Sequence, residues 1–327
     1  MNRRWLFPLV PLYAAGVAWR NRRIESGSEP VRRLRWPVVS IGNLSTGGSG
    51  KTPLTIALAK ALTMRGLTVD VLSRGYGRRS RLPVRVDPNG TAEEFGDEPL
   101  LIAREAQVPV YVAAQRYHAG LLAEADSSAV PGDGVHILDD GFQHRRLARD
   151  VDIVLLNRED WQDRLLPAGN LREPLTAIRR ATVLAIPADE PDFEAELRAW
   201  GWQGPIWRLR RTMDVPRVDG PVLAFCGIAR PGQFFLGLEA AGMRLAKCCA
   251  FPDHHRYTNA DVERLTVSAV VAGAAALITT EKDAVRLGER AFSFKELLPL
   301  KAAGLGIEIQ DQGAALDWLT GLIRANV

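Results

Sequence analysis

Cysteine and histidine are scarce in this chain, at three and five residues of 327. Cys226, Cys248 and Cys249 stand at no metal-ligand spacing, and adjacent cysteines seldom bridge each other. That excludes a disulfide scaffold and fits reduced thiols in a cytosol. The scattered histidines make no zinc signature. No apolar run approaches the ~18 residues of a confident membrane span. Internal repeats and low-complexity tracts are also missing. What remains is 46% hydrophobic and 24% charged residues, the balance of a soluble globular protein long enough for two domains.

The net charge of +4 is unevenly spread. Residues 1–35 hold Arg3, Arg4, Arg20, Arg22, Arg23, Arg32, Arg33 and Arg35 against Glu25 and Glu29, a net +6 that leaves the rest at −2. A slightly acidic body argues against nucleic acid as a partner. Between the arginine clusters lies WLFPLVPLYAAGVAW, at 5–19. It is short for a span and carries two prolines, but Trp5, Tyr13 and Trp19 suit a bilayer interface. Flanking arginines add ~1 kcal/mol each near anionic headgroups. The segment reads as a monotopic anchor on the cytoplasmic leaflet. Two other readings compete: a secretory signal with Gly16-Val17-Ala18 as cleavage site, and a helix that packs on the body. Arginines after the apolar run oppose export.

Residues 36–52 read WPVVSIGNLSTGGSGKT. The β-branched run at 38–41 has the form of a buried strand, and a helix-forming run at 54–62 follows the glycines. This is the strand–turn–helix context of a phosphate-binding loop. Thr46, Gly47, Gly48, Ser49, Gly50, Lys51 and Thr52 would line it, with backbone N–H groups and a helix N-terminus turned to phosphate. Lys51 would reach the β- and γ-phosphates, and the Thr52 hydroxyl would hold Mg²⁺. Ser45 replaces the first glycine of the usual pattern. The bland reading is a glycine-rich turn with a stray lysine.

Strand-like runs recur at 68–72, 108–112, 135–138, 151–156, 182–186, 222–225 and 276–279. Helical patterns fall at 52–64, 98–106, 115–125, 193–200, 232–241, 260–272 and 314–323. Such alternation predicts an α/β fold with a parallel sheet covered on both faces. Prolines and glycines near 205–220 suggest a boundary, giving 1–35, 36–212 and 213–327 as anchor segment, nucleotide-binding domain and second, smaller α/β domain.

Other residues have the types that carry chemistry. VHILDD at 135–140 has the form of a strand ending in an acid pair; Asp139 and Asp140 suit Mg²⁺ directly or through water, or else form a solvated turn. Asp97 precedes a helix and either caps it or accepts a proton from a substrate hydroxyl. FPDHHRYT at 251–258 offers a histidine beside a carboxylate, or only a polar loop with a cap at Thr258 or Asn259. Arg74 and Arg172 sit in turn-rich loops that suit phosphate oxygens. TTEKD at 279–283 ends a strand and contacts a nucleotide or caps the next helix.

Taken together, IGNLSTGGSGKTPL, SRGYGR, GDEPLLIA, LDDGFQHRRL, LPAGNLREPL, FCGIARPGQF, FPDHHRYT and LITTEKDAVRL, in this order, resemble the tetraacyldisaccharide 4′-kinases of lipid A biosynthesis across nearly the whole chain. Asn170 departs from the proline usual in its turn. The resemblance implies a P-loop kinase of two α/β domains with a cleft between them. It would act at the cytoplasmic face of the inner membrane of a Gram-negative bacterium, with no obligate protein partner. ATP and Mg²⁺ would serve transfer to the 4′-hydroxyl of an acylated disaccharide lipid, giving lipid IVA. It further implies Asp97 as base, His254 rather than His255 as its partner, Arg172 on the transferring phosphate, and Arg74, Tyr76, Arg116, Gln143 and His144 on the substrate. Two other classes remain: a membrane-associated P-loop switch, disfavoured by Thr46 where partition ATPases often carry lysine, and a kinase for a soluble metabolite.

Overall fold

Apolar, often β-branched stretches become strands, and twelve of them join one sheet in a computed structural model that describes residues 4–127, 132–294 and 298–325. The strands are β1 (Val38–Asn43), β2 (Thr68–Ser73), β3 (Val84–Arg85), β4 (Val110–Val112), β5 (Gly134–Asp139) and β6 (Val151–Leu155). Then come β7 (Val183–Pro187), β8 (Ile206–Asp214), β9 (Val222–Cys226), β10 (Leu245–Ala250), β11 (Ala276–Thr280) and β12 (Leu300–Ile309). Their order is β10-β9-β11-β12-β8-β7-β6-β1-β5-β2-β4-β3. Neighbours run parallel except β12–β8 and β3–β4. The fold is therefore mixed α/β with a large, mostly parallel sheet.

Both faces are covered, as a parallel sheet requires. Along β1, Val39 and Ile41 face the helix Lys51–Met64 through Leu54, Leu58 and Leu62. Val38 faces the other way, toward Leu72, Leu138 and the helix Arg116–Asp126. Each of these fully buried leucines contributes about 1.5–3 kcal/mol over an exposed one. In the second half, Leu223 and Phe225 meet the helix Asn259–Val271 on one face, and Ala224 and Cys226 meet Pro231–Ala240 on the other. The last helix, Gln312–Ala325, crosses back and packs Leu316, Leu319 and Ile323 into the core of the first half. Residue 212 lies inside β8.

Four strands are not among the strand-like runs of the sequence: the two-residue β3, β8 within the stretch read as a boundary, β10 and β12. β10 is an edge strand with Lys247 and Cys248 exposed, so it shows no buried run. In β12 the segment AAGLG lacks β-branched residues, and pairing with β8 and β11 decides its conformation.

The N-terminal segment forms a 3₁₀ turn, Arg4–Leu9, leading into a helix, Val10–Glu25, whose Pro11 is tolerated in the first turn. Arg3 lies outside the described residues. Val17 is this helix's one buried residue. No helix among the described residues is long and apolar enough to cross a membrane.

Candidate active site

β1, β5 and β2 run parallel, so Asn43, Asp139 and Ser73 end on the same edge of the sheet. After β1 the chain turns through the glycine loop into the helix Lys51–Met64, with Thr46, Gly47 and Gly48 exposed and Ser49 buried. Gly50 occupies the helix cap at φ 94°, and a side chain there would meet Ile307 Cδ1 at 2.9 Å. Only glycine fits such a position without strain. Lys51 donates to Asn43 Oδ1 at 3.0 Å and lies 3.5 Å from Asp140 Oδ1. Thr52 follows it in the helix's first turn.

The acid pair splits into two environments. Asp139 is 2% exposed and accepts from Thr55 Oγ1 at 3.2 Å and Ser73 Oγ at 3.4 Å. Burial, then the charges of Glu98 and Asp140, push its carboxyl up to about 7 against the pull of Lys51. Asp140 takes a left-handed φ of 48° and sits between cations. Arg172 Nη1 donates to its Oδ2 at 3.0 Å. Burial would raise Asp140, but Lys51 and Arg172 hold it below the usual carboxylate range. Arg172 reaches this place because its segment pairs with the glycine loop: Thr46 N donates to Asn170 O at 2.8 Å, and Arg172 N to Leu44 O at 2.7 Å.

Asp97 is the first residue of the helix Asp97–Ala106; the cap is Gly96, at φ 92°. The carboxylate is thus free for other partners. His254, at a left-handed φ of 58°, brings Nδ1 within 3.1 Å of Asp97 Oδ2. The two residues are 157 apart in the chain. Burial pushes Asp97 upward, but the hydrogen bond with His254 and the charges of Lys282 and Arg286 win and hold it far below the usual range. His255 turns away to Asp261 Oδ2, at 3.0 Å, within the capping box that Thr258 makes with Asp261.

The remaining candidates surround these groups. Gln143 accepts from Arg172 Nη1 at 3.3 Å and donates to Asn43 O at 2.8 Å. The Tyr76 ring, 66% exposed, stands edge-on to His254 at 5.8 Å. Arg116 is buried with its Nε lacking a hydrogen-bond partner, and burial lowers it to about 10. Burial, then Arg116, Arg149, Arg146 and Arg74, pull His144 down to about 3, which marks a strongly cationic surround. A cavity of about 460 Å³ opens beside Ser49, bordered by Asn157, Ile186, Leu209, Arg230 and Gln310.

Several residues of this constellation gave no sequence signal of their own. Asn43 and Glu98 sit in quoted motifs but have no chemistry-specific spacing. Lys282 pairs with Glu98 at 2.6 Å. By contrast, Thr280 takes the cap that TTEKD offered as one of its two readings, accepting from Asp283 N at the start of the helix Glu281–Leu287. Arg286, three residues after Asp283, is the member that a helical reading of i and i+3 would have flagged.

The family described as tetraacyldisaccharide-1-P 4′-kinase matches residues 2–324. A tetraacyldisaccharide 4′-kinase from Koribacter versatilis is 44% identical over 97% of this chain and 98% of its own length. Another, from Aquifex aeolicus, is 38% identical over 88% of this chain and 90% of its own. A crystal structure of LpxK from Aquifex aeolicus in complex with ATP is similar at a TM-score of 0.78 and 35% identity, covering 99% of this chain and 98% of that one.

Proposed function

The chain belongs to the tetraacyldisaccharide-1-P 4′-kinase family, and from that premise we infer that it transfers the γ-phosphate of ATP to the 4′-hydroxyl of a tetraacyldisaccharide 1-phosphate, forming lipid IVA in lipid A biosynthesis. The observation that carries the reading is the convergence of Lys51, Arg172, Asp140 and Asp139 at the strand edge, with Asp97 and His254 alongside. Phosphoryl transfer needs positioning and charge neutralisation more than covalent help, and this set supplies both.

In the proposed mechanism the glycine loop, 46–50, cradles the phosphates, and Lys51 and Arg172 leave Asp140 to meet the γ-phosphate. The adenosine end of ATP enters the cavity beside Ser49. Asp97 receives the 4′-hydroxyl proton as the oxygen bonds to phosphorus. The bond from phosphorus to the β–γ bridging oxygen breaks, and its electron pair leaves with ADP. A carboxylate held so low is a weak base at rest, so it orients the hydroxyl and takes the proton late, with His254 beside it to carry the proton on. Closure of the second half over the first would exclude water that wastes ATP.

The donor set fits Mg²⁺: Asp139, Asp140 and the Thr52 hydroxyl are hard oxygen ligands, and a buried carboxylate raised to about 7 is one that a cation would relieve. Bound there, Mg²⁺ would neutralise charge on the phosphates. No cage of three or more His, Cys, Asp or Glu occurs among the described residues, and a cation sharing phosphate and water does not need one.

Arg74, Tyr76, Arg116, Gln143 and His144 would hold the sugar and phosphate headgroup; the cationic surround of His144 suits an anion. The acyl chains would stay in the cytoplasmic leaflet of the inner membrane, where the N-terminal helix holds the enzyme. The test is transfer of label from γ-labelled ATP to detergent-dispersed tetraacyldisaccharide 1-phosphate. Label that vanishes with Lys51→Ala is expected. ATP hydrolysis without labelled lipid would replace this reading with a P-loop switch.

A further inference from the structure

Arg286 lies on the helix Glu281–Leu287, which packs against Asp97–Ala106 across the two halves of the sheet. Its side chain is 6% exposed. Nε donates to Asp97 Oδ2 at 2.8 Å, and Nη2 lies 2.6 Å from the same oxygen. Nη1 donates to Gly227 O at 2.5 Å and to Asp283 Oδ1 at 3.1 Å. Nη2 also stands 3.2 Å from His254 Nδ1. Behind it, Asp283 is fully buried and accepts from Gly227 N, Tyr257 OH and Thr280 Oγ1. A rigid guanidinium fork held at its back by a buried carboxylate has little freedom left at its front.

We propose that Arg286, fixed by Asp283, is a positioning residue that decides which oxygen of Asp97 faces the acceptor hydroxyl and keeps the His254 loop against it. The inference rests on the kinase reading above. Three geometric facts carry it. First, the contacts from Arg286 and His254 all fall on Asp97 Oδ2 and none of them on Oδ1. The carboxylate is pinned by one oxygen, and the lone pairs of the other stay available. Second, His254 Nδ1 faces both a carboxylate, which only accepts, and a guanidinium, which only donates. With Nδ1 protonated the ring donates to Asp97; with Nδ1 bare it accepts from Arg286. The ring can exchange its proton and keep an anchor in either state. Third, Lys282, one helical turn before Arg286, pairs with Glu98, the neighbour of Asp97. Two adjacent ion pairs therefore register one helix against the other at the point where the proton must move.

The groups facing Asp97 are Lys282, Arg286 and His254, with Asp253 and Asp283 beyond them. Removing Arg286 deletes one cation from this set and unpins Oδ2, so the carboxyl rises toward its ordinary range and loses its fixed orientation.

The experiment compares the parent chain, Arg286→Gln and Arg286→Lys in the labelled-phosphate assay across pH, with ATP affinity measured separately. For Arg286→Gln the expected result is a fall in kcat of about 100-fold with ATP affinity within about twofold. The acidic limb of kcat should move up into about pH 4–6, where ordinary carboxylates and their near neighbours titrate. Arg286→Lys keeps the charge but not the fork, so it should recover part of kcat and leave the limb at low pH. Unchanged kcat and limb in Arg286→Gln overturn the proposal. So does a loss of ATP affinity in both variants with the limb unmoved, which is the mark of a merely structural arginine. An inactive parent overturns the kinase reading itself, and an active parent with an indifferent Arg286 overturns only this inference.

Discussion

At Asp97 two opposing forces act on one carboxylate. Burial disfavours its charge, while the hydrogen bond with His254 and the charges of Lys282 and Arg286 favour it and win. Under the proposed mechanism this carboxylate acts in the transition state and not in nucleotide binding. Asp97→Asn keeps the shape and removes the charge. It should lower kcat by ~10²–10⁴-fold, with ATP affinity by equilibrium titration nearly unchanged. An unaltered kcat would remove Asp97 from the mechanism. Lys51 and Asp139 were legible in the sequence because their setting is local: a strand, a glycine turn and a helix in one stretch, or a strand ending in two acids. The partnership of Asp97 with Arg286 was not legible, since 189 positions separate them and the pairing exists only once the halves meet. Asp97 also looked as much like a helix cap as a base, and Gly96 takes the cap instead.

Among elements, the entry into β1 is fastened by a carboxylate on the helix Arg116–Asp126. Glu124 accepts from the backbone N–H of Arg35 at 2.5 Å and of Trp36 at 3.0 Å, and from Arg35 Nε at 3.2 Å. Trp36 stacks on His136, whose Nδ1 meets Asp70 at 2.8 Å. Burial would raise Glu124, but the hydrogen bonds with His136, Trp36 and Arg35 lower it to about 2 from an ordinary 4.5. The sign follows from linkage. A depressed carboxyl contributes stability above pH 4.5 and loses it as pH falls through about 2. The contribution is of order 3 kcal/mol. Glu124→Gln should therefore cost about that much at neutral pH in chemical denaturation, and its gap from the parent should close below pH 4.5. A gap that stays constant with pH would mean that packing, and not the charge, fastens β1. This clamp had no sequence signature either. Continuous apolar runs revealed most strands of the first half to within a residue or two, because those strands are buried on both faces. β10 and β12 lacked that signal for the reasons their composition gives.

At the scale of the molecule, the N-terminal helix buries Val17 alone, makes polar contacts with the body and keeps its large apolar side chains outside. Tyr13 OH donates to Arg172 O at 3.0 Å, and Asn21 Nδ2 to the buried carboxylate of Glu173 at 3.2 Å. Trp5 is 79% exposed, Leu12 71% and Trp19 62%. A helix that served only to pack on the body would turn these residues inward. Their exposure beside an arginine-rich segment instead matches an interface in which rings enter the headgroup region and guanidinium groups meet anionic lipid. Were this face the membrane contact, the bilayer would lie beside the loop that bears Arg172, and an acceptor anchored by its acyl chains would travel little. The protein should co-float with anionic vesicles, weakly with neutral ones, and less as salt rises past the ~8 Å screening length of physiological buffer. Replacing Trp5 and Trp19 together by serine should abolish flotation while leaving transfer to detergent-dispersed acceptor near the parent rate, because both rings are mostly exposed and Arg23, which lies over the Trp19 ring, has no place in the mechanism. If the double variant floats as well as the parent, the helix is not the anchor. If it loses transfer to dispersed acceptor as severely as flotation, the helix supports the Arg172 loop directly, and Tyr13→Phe should then reproduce the defect alone.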